Sequence, residues 1–496
     1  MWGPTLLIPC LLGMGVRTEL KEKQMLTVLG PNGRACDGVS RRAILRAGGL
    51  SLFGGLLATA SSSTAGQAAK HTPRIKSVIL VDLFGGPSHI DMFDPKPEAP
   101  PEIRGEFASI PTSVLGLPIC EHLPRMATWM KEVSLIRTVS HPYNSHNPYA
   151  VMTGFTGGVD NQDYFSRPTD YPSMGSVATY FGCGQPGVPP YVVLPALPGY
   201  SQSLRRAGPY GGFLGRKYDP LFSTCDPKLD KPLDSNKDFY SDDVWAIGDP
   251  QLPSLDAALT ADSLDRRRTL LEQFDANARL VEGSRATRDL AEWQKAAFDL
   301  LLSPKVRGAF DLSQESDATR DRYGRDLFGS STLMARRLVE NGVSYVTIHT
   351  ESKANGHWDT HNNNFKMLKN LRLPYIDRSL PALFEDLQAR GLWNSTLIVM
   401  CGDMGRTPKI NKAAGRDHWP QCGFCLLAGG AVKPGYVHGT SDKQAAYPID
   451  FPVTPGDLCA TVYHLLGISH EATVPDSLSR PHHISHGGQP IWDVLS

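Results

Sequence analysis

Histidine, aspartate and asparagine residues collect in loops that follow predicted strands, and these loops are where we expect chemistry. The candidate side chains are Asp82, Ser88, His89 and Asp91, then His141, Asn144, Ser145, His146 and Asn147, then His349, His357, Asp359 and His361, and finally Asp403, Arg406, Asp417 and His418. Imidazole and carboxylate groups suit zinc, manganese or iron, whereas amide and carboxylate oxygens suit calcium or magnesium. We therefore predict a divalent metal ion, zinc, calcium or manganese, at a site with an open position for water or substrate.

The densest of these elements is His357-Trp-Asp359-Thr-His361. On an extended segment, residues two apart face the same side, so three potential ligands converge. The alternative is a polar loop whose side chains only hydrogen-bond one another.

Arg406 follows the predicted fourth strand and has two interpretations. Its guanidinium could hold an anionic substrate oxygen through two parallel hydrogen bonds. It could equally form a salt bridge with Asp403 or Asp417.

Short apolar runs separated by helical patterns must position these loops. The predicted strands are residues 75–84, 132–139, 343–350, 396–401 and 424–428. Helices are predicted over 376–390, from the Thr454-Pro-Gly-Asp457 start signal to Leu466, and within the charged segment 254–340. Alternating strands and helices predict an α/β fold with a mostly parallel central sheet flanked by helices, and ligands then lie at the carboxyl ends of the strands.

Composition narrows the class of protein. Lys and Arg together number 50, as do Asp and Glu, so the 496-residue chain lacks the basic excess of a nucleic-acid-binding protein. Beyond residue 69 the cysteines are odd in number and irregularly spaced, which does not predict a disulfide framework. Cys422 and Cys425 have the spacing of half a zinc site, but Cys425 opens an apolar run and is better interpreted as a core strand residue.

The first 69 residues match an export leader. Arg41-Arg42 precede an apolar stretch from Ala47 to Ala60 that is too short for a stable membrane span, and Ala58-Thr-Ala60 offers a cleavage site. The alternative is an ordinary apolar helix after two basic residues, and translation could start at Met1 or Met25. We predict a twin-arginine signal peptide and linker over 1–69 and one large domain over 70–496. The mature chain would use the twin-arginine export machinery, lie in the periplasm or outside the cell, and have no further membrane span.

Four motifs together resemble the bacterial "domain of unknown function 1501" family. They are Gly85-Gly-Pro-Ser-His-Ile-Asp91 with Phe93-Asp-Pro-Lys-Pro97, His357-Trp-Asp-Thr-His361, Gly402-Asp-Met-Gly-Arg-Thr-Pro408 and Gly415-Arg-Asp-His-Trp419. The resemblance implies a sulfatase-like fold of the alkaline phosphatase superfamily. It further implies metal ligands at Asp82, Asp359, His361, Asp403 and His418, and a nucleophile in the loop that ends at Thr153-Gly154.

This chain departs from the superfamily pattern at two positions. The nucleophile position falls on Asn144, with Ser145 beside it, and an amide cannot attack sulfur or phosphorus. A formylglycine sulfatase is therefore not expected. Met404 follows Asp403 where related phosphatases carry His, which puts one metal site in doubt.

Three functions remain open at this point. The first is metal-dependent hydrolysis of a sulfate or phosphate ester on a small molecule or glycan, with Ser145 or a water attacking and His146 or His361 as the acid–base partner. The second is a non-catalytic protein that keeps the fold and binds an anionic glycan or a partner protein. The third is a structural envelope protein whose polar loops only pack.

Overall fold

An eight-stranded sheet forms the centre of the computed structural model, which describes residues 70–161, 164–199, 205–232, 241–253, 303–351 and 358–496. The strands of this sheet are β1 (Ser77–Leu83), β2 (Val133–Val139), β3 (Tyr191–Leu194), β4 (Leu221–Phe222), β5 (Tyr345–His349), β6 (Thr396–Gly402), β7 (Gly423–Gly429) and β8 (Tyr436–His438). Their spatial order is β8-β2-β7-β6-β1-β5-β3-β4. All five predicted strands are confirmed within a few residues.

Only β7 runs against its neighbours. It pairs antiparallel with β6 and β2, whereas β1 pairs parallel with β6 and β5, β3 with β5 and β4, and β2 with β8. The predicted mostly parallel α/β fold is therefore confirmed. Because β7 is reversed, its beginning lies at the sheet edge where β1, β2, β5 and β6 end.

Helices cover both faces of the sheet. They are α1 (Pro101–Arg104), α2 (Pro124–Trp129), α3 (Tyr149–Thr153), α4 (Met174–Tyr180), α5 (Pro304–Phe310), α6 (Asp317–Tyr323), α7 (Leu327–Glu340), α8 (Asn364–Met367), α9 (Leu373–Ala389) and α10 (Pro455–Leu465), with a π-helix over Leu368–Arg372 between α8 and α9. Small two-stranded ribbons pair Ser109–Pro111 with Pro118–Cys120, Lys228–Leu229 with Ala246–Ile247, Gly405–Arg406 with His418–Trp419, Thr440–Ser441 with Pro448–Asp450, and Thr473–Pro475 with Pro481–His483.

The core divides into two apolar layers, one on each face of the sheet. Along β1, Ile79 and Val81 pack into the layer with α7 and α9, while Val78 and Leu80 pack into the layer with α10. Successive strand side chains point to opposite faces, so a strand buried on both faces reads as a continuous apolar run. This explains why the strands could be predicted from the sequence.

The predicted helix starts and stops also have a physical basis in the structure. Thr454 Oγ1 accepts a hydrogen bond from Asp457 N at 3.3 Å, and Asp457 Oδ2 accepts one from Thr454 N at 2.8 Å. This reciprocal cap satisfies two backbone donors at the start of α10. Gly467 follows the helix with a φ of +79°.

Other predictions fall partly or wholly outside the described residues. The export leader over 1–69, His357 and residues 254–302 of the predicted helical segment lie there. Residues 303–340 contain α5, α6 and α7, in line with a helical segment. Within the described part of the chain, no helix is long and apolar enough to cross a membrane. Cys425 is buried in β7, as predicted for a core residue.

Candidate metal centre

Four side chains from three loops converge at the sheet edge where β1, β2, β5 and β6 end. His146 lies between β2 and α3, Asp359 and His361 follow β5, and His418 lies in the short ribbon before β7. One ligand atom from each of the four lies within 4.8 Å of the others. His146 and Asp359 are buried, while His361 and His418 are partly exposed. The cluster is thus anchored in the protein and reachable from solvent.

The separations within this cluster match those of atoms that share a metal ion. Asp359 Oδ1 lies 3.2 Å from His146 Nε2, 3.1 Å from His361 Nε2 and 3.8 Å from His418 Nε2. His361 Nε2 and His418 Nε2 are 2.9 Å apart. Ligands about 2.0–2.1 Å from a tetrahedral zinc ion lie roughly 3.3 Å from one another. The donor set therefore fits a transition-metal ion.

Each of the three histidines has its Nδ1 atom held by an oxygen. Asp403 Oδ2 holds His146 at 2.9 Å, Asp417 Oδ1 holds His361 at 2.7 Å, and the Asn144 carbonyl oxygen holds His418 at 2.9 Å. We assign the ring protons to Nδ1, because these oxygens accept hydrogen bonds. In that neutral tautomer, which is the form that binds metal, all three Nε2 atoms are lone-pair donors facing one point. The buried His146 Nε2 has no hydrogen-bond partner among the described residues.

Two glycines permit the close approach of the loops. Gly85, with a φ of +104°, lies where an added Cβ would be 2.6 Å from Asp359 N. At Gly415, an added Cβ would be 1.7 Å from the His361 carbonyl oxygen. A side chain at either position would push the ligand-bearing backbone away.

The cluster carries a surplus of negative charge. Asp359, Asp403 and Asp417 lie in contact with the histidines, and the guanidinium of Arg406 contacts Asp359 Oδ1 at 2.6 Å. With the three histidines in their neutral, metal-binding form, three carboxylates against one guanidinium leave two negative charges among the described residues, which a divalent cation would balance.

The pKa values of these groups reflect both burial and contacts. Burial by itself would raise the pKa of Asp359, but its contacts with His146, His418 and Arg406 hold it far below its usual range. Burial would lower the pKa of His146, and contacts with Asp359 and Asp403 raise it above its usual value instead. Burial lowers the pKa of His361. Ionised Asp359 and neutral His361 are the forms that bind metal.

Comparison with known proteins now adds a family. The family model described as "Protein of unknown function (DUF1501)" matches residues 75–495. The chain belongs to the DUF1501 family. No curated protein matches the sequence.

Several solved structures are similar to this DUF1501 protein at low identity. The crystal structure of Ps i-CgsB is 11% identical, with a TM-score of 0.36, covering 84% of this chain and 76% of that one. The PsFucS1 sulfatase from Pseudoalteromonas sp. is 12% identical, with a TM-score of 0.33 and coverage of 80% and 68%. A protein in the alkaline phosphatase superfamily from Vibrio parahaemolyticus is 10% identical, with a TM-score of 0.32 and coverage of 86% and 72%.

Arg406 of this DUF1501 protein faces inward. It is fully buried; its Nε donates to the Gly86 carbonyl at 2.8 Å, and its Nη1 donates to the Arg416 carbonyl at 3.1 Å. The sequence left open a substrate contact or a salt bridge with Asp403 or Asp417, and the structure pairs Arg406 with Asp359 instead. Arg406 thereby connects the loop after β1 to Asp359, a candidate ligand.

Asp403 and Asp417, predicted as metal ligands, lie behind the histidines in this structure. Besides holding His146, Asp403 accepts a hydrogen bond from Gly85 N through Oδ1 at 2.9 Å. Asp417 also accepts from Asn411 Nδ2 at 3.2 Å. Both carboxylates orient a ligand ring, which is the arrangement that typically supports metal-bound histidine.

His89 and Asp91, also predicted as ligands, lie outside the four-residue cluster. Both oxygens of Asp91 are taken by Arg416, at 2.7 Å to Nε and 2.8 Å to Nη2, and Oδ2 also accepts from Ser88 and Asn364. His89 Nε2 donates to a backbone carbonyl, that of Ala445, at 2.7 Å. These contacts are those of a buried structural network.

Ser145, the predicted nucleophile, is partly exposed and directly precedes His146 in the chain. Its carbonyl oxygen accepts a hydrogen bond from Asn147 N at 2.8 Å, which closes a turn before α3. Ser145 therefore lies in the loop that also presents His146 to the cluster. Its catalytic role stays a prediction, as do those of His146 and Arg406.

Asp82 belongs to a second buried group that sequence reasoning did not assemble. Its Oδ2 contacts His349 Nδ1 at 2.6 Å, and His349 Nε2 contacts Glu351 Oε2 at 3.1 Å. Arg206 Nε lies 3.5 Å from the same Glu351 oxygen. His349 and Glu351 lie two residues apart at the end of β5, and this spacing could have indicated that they belong to one group. No local pattern in the sequence indicated Arg206.

Proposed function

We propose that this protein is an exported, metal-dependent hydrolase of an anionic ester, a sulfate or a phosphate. One observation carries the proposal. Three imidazole Nε2 atoms and one carboxylate oxygen face a common point, and every one of those rings is fixed by an oxygen at its other nitrogen. Unpaired lone pairs brought this close repel one another unless a proton or a metal cation lies between them, and one metal ion at the common point would satisfy all four atoms at once.

The donor set favours zinc or manganese among the ions that the sequence left open. Three imidazoles and one carboxylate suit these ions, whereas calcium takes 6–8 oxygen ligands as a rule. His146, Asp359, His361 and His418 would hold the ion. When bound, it would polarise an ester oxygen and stabilise negative charge developing there.

The charges of the protein make anion binding depend on that ion. Even with His146 protonated, Asp359, Asp403 and Asp417 outnumber the cationic groups among the described residues, so the metal-free site repels a sulfate or phosphate group. Arg406 cannot relieve the repulsion, since it is fully buried against Asp359 and backbone carbonyls. We infer that metal and anionic substrate bind in that order.

Two candidates for the attacking group lie near the cluster, the Ser145 hydroxyl and a solvent water. Ser145 is partly exposed and directly precedes His146 in the chain. His146 and His361 use both ring nitrogens within the cluster, so neither is a free acid–base partner once metal is bound. A Ser145→Ala variant separates the two: lost turnover with retained metal supports the serine.

The export part of the proposal rests on the sequence of the leader, Arg41-Arg42 and the apolar stretch that follows. Fusing residues 1–69 to a reporter that is active only after folded export tests it. Export that is abolished by changing both arginines to lysine supports a twin-arginine leader. Export that survives this change contradicts it.

Metal content and turnover test the hydrolase together. Wild-type protein is stripped with a chelator, reloaded with zinc or manganese and compared with His418→Ala. His470→Ala serves as a matched control, because His470 contacts only Gln489, at 3.2 Å, among the contacts described for its side chain. We expect metal loss in His418→Ala alone, and hydrolysis of aryl sulfate or aryl phosphate by loaded wild type. Equal metal content in all three proteins contradicts the metal site, and bound metal without turnover favours a glycan- or partner-binding protein.

A further inference from the structure

The Asp82 group lies next to the metal centre but has a different charge balance. Asp82 and Glu351 supply two carboxylates, and the His349 ring and Arg206 supply two cationic groups. Asp82, His349 and Glu351 are each at most 2% exposed. A buried group of this kind is tolerated when its charges are paired with one another.

His349 is placed to act as a cation. Both of its ring nitrogens meet carboxylate oxygens, at 2.6 Å to Asp82 and 3.1 Å to Glu351, so a doubly protonated ring donates to both. The other contacts fix this geometry: Gly199 N donates to Glu351 Oε2 at 2.7 Å, and the Phe84 ring packs against His349 with centroids 4.9 Å apart. The ring is therefore held between two carboxylates.

The surroundings of Asp82 do not fit the metal ligand that the family resemblance implies at this position. Asp82 is not part of any second group of three or more acidic, histidine or cysteine side chains able to hold an ion, among the residues that the structure describes. Its Oδ2 is taken by His349. Its Oδ1 has no hydrogen-bond partner in the described part of the chain, so a second ion would have to bind through that atom.

We propose that the His349 ring serves as the internal cation for Asp82, so that this protein holds a single divalent ion rather than two. The inference rests on the proposed function, because the single ion would bind at the metal centre already described. His349 is a positioning residue, because it holds Asp82 at the end of β1. In the loop that follows β1, Gly85 N donates to Asp403 and the Gly86 carbonyl oxygen accepts from Arg406.

Metal stoichiometry of the full chain tests the proposal. Wild type, Asp82→Asn and His349→Gln are stripped, reloaded with zinc and analysed by elemental mass spectrometry, with Asp359→Asn as the matched control. We expect one zinc per chain in the first three proteins and less than one in the control. Two zinc ions per wild-type chain, or the loss of one equivalent in Asp82→Asn, overturn the proposal.

Thermal stability keeps this inference distinct from the proposed function. A wild type that binds no zinc rejects the proposed metal centre, and the pairing of Asp82 with His349 is then judged from unfolding. We expect Asp82→Asn and His349→Gln each to lower Tm by roughly 5 °C, and the double variant to lose no more than the worse single variant. Losses that add in the double variant show that the two side chains do not act as a pair, which overturns the proposal.

Discussion

Two neighbouring groups of side chains, both near the carboxyl ends of the parallel strands, contain the same residue types but pair them differently. In the candidate metal centre, the three histidines in their neutral form turn lone pairs toward a common point, and the carboxylates then exceed the one guanidinium by two charges among the described residues. In the Asp82 group, the histidine turns both nitrogens to carboxylates, and the charges are balanced by the protein itself. The same residue types therefore give two different arrangements, and we infer that the charge sum and the direction of the lone pairs, rather than residue type alone, decide which group can hold a metal ion.

Replacing Asp82 should have the largest effect on the free energy of unfolding. Asp82→Ala leaves His349 buried with half of its pairing, and breaking a buried pair in this way costs about 3–5 kcal/mol. We expect that loss in the free energy of unfolding, measured in urea, with zinc content unchanged. An Asp82→Ala variant with the wild-type free energy of unfolding but without zinc would contradict the difference proposed between the two groups.

The complementary change removes charge from the metal centre. Asp359→Asn keeps the size of the side chain but weakens the one carboxylate ligand and its pair with Arg406. We expect zinc affinity to fall by more than about 100-fold, beyond the usual effect of an outer-sphere partner. Competition with a chromophoric chelator measures it, and an affinity within threefold of wild type would contradict the ligand assignment.

The pH dependence of stability reports on the charge of His349. Contacts with Asp82 and Glu351 outweigh burial and raise the pKa of His349 to about 9. A raised pKa contributes stability that is fully present below the unfolded value, about 6.5, and is lost as pH rises through about 9.

For metal-free protein, we expect this loss to be on the order of 3 kcal/mol between pH 6.5 and 9.5. Urea unfolding at several pH values measures it, and His349→Gln should reduce the loss of stability in this range. A wild-type profile that is already flat here would show that His349 is not the charged member of its group.

The smallest expected effect concerns the support of a ligand. Asp417 orients His361 and is largely exposed, so Asp417→Asn should lower zinc affinity by about 10-fold, at the low end for an outer-sphere partner. Asp476→Asn is the control. Asp476 also contacts a histidine, His482, and an arginine, Arg480, but none of these residues belongs to the cluster. Equal zinc affinities in the two variants would remove Asp417 from the site.

The ligand set shows how far sequence reasoning reached. Asp359, His361 and His418 were named as ligands from their positions in strand-end loops, and His146 was named from the same pattern but as a catalytic group. Asp403 and Asp417 were named as ligands, yet they contact the rings from behind. Nothing local distinguishes a residue that faces the ion from one that faces its ligand, because the two roles differ only in side-chain direction.

The amino-acid sequence by itself determined the strands, the capped helix α10, the family and the loops that carry the chemistry. These depend on apolar runs, turn residues and motif spacing, which are local properties of the chain. The tertiary structure decided which His and Asp side chains share a point. That choice depends on the reversed β7, which brings His418 to the edge, and on pairs far apart in sequence, such as His349 with Asp82 and Arg206 with Glu351.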